Sequence, residues 1–518
     1  MRKYTFVIVF VSGMVSLAVE MAASRLLGNY FGTSNLVWAS IIGLILIYLT
    51  AGYFIGGRWA DRSPSYKTFF SILAWSSLAI GLVPLISRPI LRLAAEAFDN
   101  LQLGVLMGSF ASVMILFIVP VTLLGMASPF AIRLSIEDKE SAGRVSGQIY
   151  AVSTLGSFIG TFLPVLVLVP LLGTYRSFLV LSAILMLFAL LGLYLINKWR
   201  GLLPYSWMPI VLIVLFIFGV TGSDKKTTGM VFEGESTYNY IQVLQEGEFT
   251  LLRLNEGQGI HSIYSPNTLN YNGPWEQVIS APFFNPAPVT TDAITNAAIV
   301  GLAAGTTSRE LLAVFPNIKV DGIEIDPLIV DVGNQYFAMQ NDRLNVIIQD
   351  GRWALENSPQ QYDIISVDAY RPPYIPWHMT TVEFFQIVFD HLDADGVMVI
   401  NVGRAPTDRR LVDTLAATIQ TVFPTIYISD LSGSFNTLIF ASKQQTSIEN
   451  FRANFVYLLQ DETTPPLLLE VMAATYEGLQ PIPAASGLVF TDDRAPVEHV
   501  TNSIILSFIF SGESESLE

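Results

Sequence analysis

The sequence contains no cysteine. That single absence removes disulfides, thiolate metal sites and a cysteine nucleophile, and it leaves the redox compartment open. Histidine is nearly as scarce: His261, His378, His391 and His499 are scattered without ligand spacing, so no metal site is expected. Charged residues make up only 14% of the 518 positions, and acids outnumber bases 43 to 28, for a net charge of −15. Such a balance disfavours a polyanion, so no nucleic-acid partner is expected.

Charge is sparsest before about residue 223, where long apolar runs dominate. Seven segments are long enough, or nearly so, to span a hydrocarbon core: 4–27, 37–55, 69–86, 103–126, 147–172, 178–196 and 203–221. The first is too long, with the wrong flanks, to read as a cleaved signal peptide. Gly156 and Gly160 form a close-packing pair of small residues, which points to a helix bundle in the lipid bilayer, not a set of isolated anchors. Glu20 is the one acid deep in a span; it is either functional or paired, with Arg25 the nearest cation in sequence. Lys and Arg near span ends favour the cytoplasm. One side would hold Arg2, Lys3, Arg58, Arg62, Lys67, Arg133, Lys139, Arg144, Lys198 and Arg200, and the other Arg88, Arg92 and Arg176. The expected location is the cell membrane, multi-pass, with a cytoplasmic amino terminus.

From Gly234 the pattern changes to short alternating strands. Residues 237–244 and 249–254, joined at Glu246-Gly247-Glu248, read as a hairpin, and 260–264 continues it. From Ala297 strands and helices alternate through Phe440, which predicts a parallel sheet with helices on both faces. The first strand breaks at Gly301-Leu302-Ala303-Ala304-Gly305 into a helix, a turn whose backbone N–H groups and helix dipole suit a nucleotide or anion. The second ends in Glu324 and Asp326, about twenty residues on, where a carboxylate meets ribose hydroxyls. The third ends at Asp350-Gly351 and the fourth at Asp368, ahead of the proline-rich loop 371–376. Helix capping explains Asp326 before Pro327, but repeated acids at one sheet edge fit a ligand outside the carboxyl ends of the strands.

A small strand cap, Gly301 to Gly305, Glu324-Ile325-Asp326, Asp350-Gly351 and Val367-Asp368 together resemble the spermidine synthase (polyamine aminopropyltransferase) family, in its membrane-fused bacterial form. The resemblance implies an amino-terminal multi-span α-helical membrane bundle (1–223), a small β-hairpin subdomain (224–292), a Rossmann-like, methyltransferase-type α/β domain (293–445), and a helical carboxyl-terminal segment with an acidic tail (446–518). It implies a donor site at Asn239, Gly301, Gly305, Glu324, Asp350 and Gly351, with Asp368 the catalytic proton acceptor. Glu276, Tyr370, Asp492 and Asp493 are the candidate acceptor-binding residues. No group is expected to be bound permanently; decarboxylated S-adenosylmethionine, or S-adenosylmethionine, is the co-substrate, a small-molecule amine the acceptor, and a homodimer or larger assembly the state. Two acids that read the diamine in soluble family members are replaced here by Ala304 and Arg371. A methyltransferase-like enzyme and a non-catalytic ligand-sensing or transport-associated protein therefore stand as alternatives. Seven crossings would put the α/β domain outside, where adenosyl sulfonium donors are scarce. It is accordingly expected to face the cytoplasm, with 203–221 lying along or re-entering the membrane.

Overall fold

The computed structural model describes residues 1–32, 35–100, 104–138, 140–219, 224–225, 227–255, 259–370, 374–482 and 488–511. The chain divides into two compact units, Met1–Lys226 and Thr227–Glu518.

The first unit is all helical: α1 (Arg2–Phe31), α2 (Asn35–Arg62), α3 (Tyr66–Asn100), α4 (Gly104–Gly125), α5 (Ala127–Ser135), α6 (Ala142–Leu163), α7 (Val169–Leu172), α8 (Thr174–Leu202) and α9 (Trp207–Phe218). Among the described residues, six helical stretches are long and apolar enough to cross a membrane: Arg2–Phe31, Val37–Arg62, Tyr66–Ala94, Met107–Ser135, Ala142–Leu172 and Thr174–Tyr205. The expected seventh span contains the short turn Leu203–Tyr205 and then α9, a helix of 12 residues. At 1.5 Å per residue α9 alone is about 18 Å long, less than a hydrocarbon core. The Gly156/Gly160 pair closes α6 onto α1: a methyl group at either glycine would lie 2.0 Å from a backbone oxygen, of Phe10 or of Met14. Close backbone approach is what small residues permit in a setting where lipid is as apolar as leucine. Glu20 is buried within α1.

The second unit opens with an antiparallel sheet of β1 (Met230–Glu235), β2 (Tyr240–Glu246), β3 (Phe249–Leu254) and β4 (Ile260–Tyr264), in that order. The hairpin between β2 and β3 turns at Gly247, as its sequence predicts. An eight-stranded sheet follows, built from β5 (Asn296–Val300), β6 (Lys319–Glu324), β7 (Leu344–Ile348), β8 (Tyr362–Val367), β9 (Leu392–Gly403), β10 (Thr425–Asp430), β11 (Asn436–Ser442) and β12 (Leu479–Gln480). Its order is β12-β10-β11-β9-β8-β5-β6-β7. β5 pairs in parallel with both β6 and β8, so the chain winds outward in opposite directions from β5. That reversal opens a crevice at the carboxyl ends of β5 and β8. The expected parallel run does not extend to Phe440, because β10 and β11 form an antiparallel hairpin and β11 also runs antiparallel to β9.

Helices α10 (Pro274–Gln277), α11 (Thr306–Val314), α12 (Pro327–Tyr336), α13 (Gly351–Glu356), α14 (Val382–His391), α15 (Arg410–Gln420), α16 (Ile448–Leu459), α17 (Pro466–Glu477) and α18 (Val497–Ser511) complete the unit. Three apolar clusters result, one with Phe384, Phe385, Leu415 and Ile428, a second with Phe283, Phe315, Phe440 and Phe451, and a third with Ile241, Leu252, Ile329 and Phe337. The acidic tail, 512–518, lies outside the described residues.

Candidate active site

Four strand ends make the floor of a cavity of about 340 Å³, whose lining includes Gly301 after β5, Glu324 at the end of β6, Asp350 after β7 and Asp368 after β8. The acids that end successive strands in sequence therefore share one crevice. Parallel pairing in register is the cause, since it aligns the carboxyl ends of neighbouring strands.

Gly301 has φ 99°, a conformation that side chains other than hydrogen rarely adopt, and a methyl group there would lie 2.5 Å from the carbonyl oxygen of Asp368. The glycine loop and the Asp368 peptide are thus packed backbone to backbone, which Asp368 N–H donating to the Val300 carbonyl at 2.9 Å also shows. Gly301→Ala is expected to lower stability by about 1–3 kcal/mol through local backbone strain and to displace Asp368. A lowered denaturation midpoint together with reduced turnover is the expected readout; an unchanged midpoint would mean that the loop absorbs the methyl group.

Glu324 is buried, 8% exposed. Its Oε2 accepts from the Ala303 N–H at 2.9 Å and its Oε1 from the Asp326 N–H at 3.0 Å. Each carboxylate oxygen can accept twice, so one site per oxygen remains for a vicinal diol. Burial, with a contribution from Asp326, pushes the Glu324 carboxyl up to about 7, against backbone N–H donors that pull it down. Asp350 caps α13, accepting from Trp353 N–H at 3.0 Å, and lies 3.4 Å from His378 Nε2.

Among the described residues, Asp368 accepts one hydrogen bond, from Asn401 Nδ2 at 3.0 Å. Burial pushes its carboxyl up to about 6, and the Asn401 bond moderates the rise. A base near the working pH is well matched to accepting a proton in a transition state. Both acids hold protons in the folded state that the unfolded chain releases near the ordinary values of 3.8 and 4.5. The unliganded protein is therefore expected to be most stable, as far as these groups go, below those values and to lose that increment as pH rises through 6 to 7. Thermal melts across pH 4–8 check this prediction: the Asp368→Asn and Glu324→Gln double variant should show a flatter slope than the parent, and an unchanged slope would contradict it.

A family model described as the spermine/spermidine synthase domain matches residues 287–449, the span that contains all four strand ends. Over that span the chain is similar to the spermidine synthase family. It is 31% identical over 303 residues to a "Probable polyamine aminopropyl transferase" of Bifidobacterium longum, covering 55% of this chain and 66% of that one. It is 28% identical over 211 residues to a "Polyamine aminopropyltransferase" of Vibrio vulnificus, covering 38% and 66%. The chain thus spans just under two thirds of the length of these curated relatives. It is also 31% identical over 153 residues to the "eEF1A lysine and N-terminal methyltransferase" of Mus musculus, covering 27% of this chain and 22% of that one.

The crevice holds some of the residues singled out in sequence and not others. Gly301, Glu324, Asp350, Gly351, Asp368, Asn239 and Tyr370 line it. Gly305 is the N-cap of α11. Asn239 is less free than a donor-contacting amide should be, because its Nδ2 donates to Asp326 at 2.9 Å and its Oδ1 accepts from Asn255 at 3.0 Å. The Tyr370 hydroxyl donates to the Asn401 carbonyl and accepts from Gly403 N–H, so only its ring is presented.

Glu276 is not an acceptor ligand in this arrangement. It is fully buried and caps α10, its Oε1 accepting from the Tyr271 and Gly273 N–H groups, and it is absent from the lining. Asp492 is taken by a two-pronged pair with Arg352, both bonds 2.7 Å, and by the Thr381 hydroxyl. Asp493 is exposed and also outside the lining. Ala304 donates its N–H to Ser262 Oγ and does not line the cavity. Arg371 lies outside the described residues.

Among the lining or supporting residues that went unpredicted are His261, His378 and Asn401. Asn401 had a signal, as the single polar side chain in the apolar run Val397-Met398-Val399-Ile400-Asn401-Val402 beside the strand that carries Asp368. Burial lowers the His261 imidazole to about 4, so it faces the crevice as a neutral ring.

Proposed function

We propose that this protein is a membrane-anchored, spermidine synthase-like aminopropyltransferase, which moves an aminopropyl group from decarboxylated S-adenosylmethionine to an amine and releases methylthioadenosine. The observation that carries the reading is Asp368, a half-buried carboxylate held by Asn401 and set against the glycine turn at the topological switch point. Glu324 is suited to the ribose diol, Asp350 to the adenine edge, and Gly351 to close approach beneath it.

A primary amine is almost wholly protonated near pH 7 and cannot attack in that form. Asp368 accepts a proton from the ammonium and holds the freed nitrogen in line with the carbon attached to sulfur. The nitrogen–carbon bond forms as the carbon–sulfur bond breaks, and the electron pair goes to sulfur, giving a neutral thioether. The sulfonium is already an activated leaving group, so the demand on the protein is positioning and proton transfer. The first unit, with helices long and apolar enough to cross a bilayer, supplies the anchor in this reading.

A second reading, methyl transfer from S-adenosylmethionine, is favoured by the 31% identity over 153 residues to the mouse methyltransferase. Incubation with each donor and a panel of amines, followed by mass spectrometry, separates the possibilities. The proposal expects methylthioadenosine and an acceptor heavier by one aminopropyl group. S-adenosylhomocysteine and a methylated acceptor would transfer the assignment to the second reading. Binding without consumption of either donor would leave a ligand-sensing or transport-associated protein.

A further inference from the structure

The first unit carries its own ruler for membrane topology, independent of any reaction in the second. Along α3, successive positions meet successive positions of the stretch that follows α8. Tyr205 donates to Ser71 Oγ at 2.7 Å, and Trp207 packs edge-on against Trp75 with ring centroids 6.0 Å apart. Leu212 lies over Gly81, where a methyl group would come within 2.2 Å of its Cδ2. Asp224 is reached by Arg88 Nε at 3.1 Å. The stretch therefore keeps level with α3 from Ser71 to Arg88, a rise of about 25 Å at 1.5 Å per residue. Helix α9 is shorter than a hydrocarbon core, yet the chain that contains it traverses nearly the whole thickness.

The two ends of this path are distinct. Near Ser71 lie Tyr66, bonded to the Leu134 carbonyl, and the pairs Arg133–Asp61 and Arg2–Glu137, so this end also holds the amino terminus. At the other end Asp224 is 6% exposed and gripped from two helices, α1 and α3. Asn29 donates to its Oδ2, the Tyr30 hydroxyl and Arg92 donate to its carbonyl, and Arg88 pairs with its carboxylate while stacking 4.4 Å from the Tyr175 ring. Lipid-facing character fits a crossing too: Met208, Leu212 and Leu215 are buried, whereas Ile210, Ile213, Ile217 and Phe218 are exposed.

We infer that the stretch containing α9 makes a seventh crossing, fastened at its far end by Asp224, so that the second unit follows on the side of the membrane opposite the amino terminus. The charge distribution says which side that is. Cations are more numerous at the end shared by Arg2, Arg58, Arg62, Arg133 and Arg144, while the far end holds Arg88, paired with Asp224, together with Arg92, Arg176 and Lys225. Cations in short loops favour the cytoplasm, which puts the amino terminus inside and the second unit outside. This reverses the expectation, drawn from donor supply, of a cytoplasmic second unit. The crevice at the ends of β5 to β8 then takes its ligands from the extracytoplasmic side.

The absence of cysteine makes the test clean. Two single-cysteine variants at exposed positions, Gln360→Cys in the second unit and Glu140→Cys between α5 and α6, are treated with a membrane-impermeant maleimide in right-side-out vesicles, then again after permeabilisation. Labelling after permeabilisation confirms that each cysteine is accessible. The inference expects Gln360→Cys to label fully before permeabilisation and Glu140→Cys only after it. Protection of Gln360→Cys in sealed vesicles would overturn it. The readout does not depend on catalysis, so the outcome is separate from that of the proposed transferase activity.

Discussion

Asp368→Asn is expected to lower the rate of aminopropyl transfer by about 10²–10⁴-fold while leaving donor affinity within a few-fold of the parent. Asparagine keeps the shape of the side chain, and its amide oxygen still accepts from Asn401 Nδ2, which reaches Asp368 at 3.0 Å. What it loses is the capacity to take a proton from an ammonium. The parent enzyme should show an acid limb in kcat/KM, because the Asp368 carboxyl, raised to about 6 by burial, is protonated below that pH. The limb should vanish from the residual activity of the variant. Single-turnover rates and donor titrations measured on the same preparation separate the two effects. Equal losses in rate and donor affinity would make Asp368 a binding residue.

Glu324→Ala is expected to weaken methylthioadenosine binding by about 1.5–3 kcal/mol, or roughly 10- to 150-fold, the usual loss for hydrogen bonds to a charged group. The parent carboxylate is held by the Ala303 and Asp326 N–H groups, so its free lone pairs point where the crevice is open. Because alanine also orphans those two N–H groups, Glu324→Gln serves as the companion: it retains the size and one accepting oxygen, and its loss should be smaller. Equilibrium dialysis of both variants against the parent reads the difference. Equal affinity in Glu324→Ala and parent would remove Glu324 from the ribose site.

The candidate site was largely legible because it depends on strand ends, and strand ends are marked in sequence by where an apolar run stops. Glu324, Asp350 and Asp368 needed only parallel pairing to converge, and the alternation of strands and helices implies that pairing. Residues placed by long-range packing were not legible. Glu276 reads as an available carboxylate, but the backbone N–H groups at the start of α10 consume it. Asp492 is paired with Arg352, a partner 140 positions away, which no local pattern discloses.

In the sheet, β10 and β11 carry the same apolar signature as the parallel strands, and only the tight connection through Gly433 distinguishes a hairpin. In the first unit, apolar length revealed the seventh segment but not its path. The path became visible only from the side chains of α3 that it meets in turn, from Ser71 to Arg88.

The most direct test of the account is an experimental density map of the full-length protein with methylthioadenosine bound. The account places the ligand in the cavity at the ends of β5 to β8, with the ribose on Glu324, the adenine beside Asp350, and the sulfur facing Asp368. Density for the nucleoside elsewhere, for example in the separate groove lined by Asn270, Asp430, Glu470 and Glu477, would contradict it. So would density in the right cavity with the ribose turned away from Glu324.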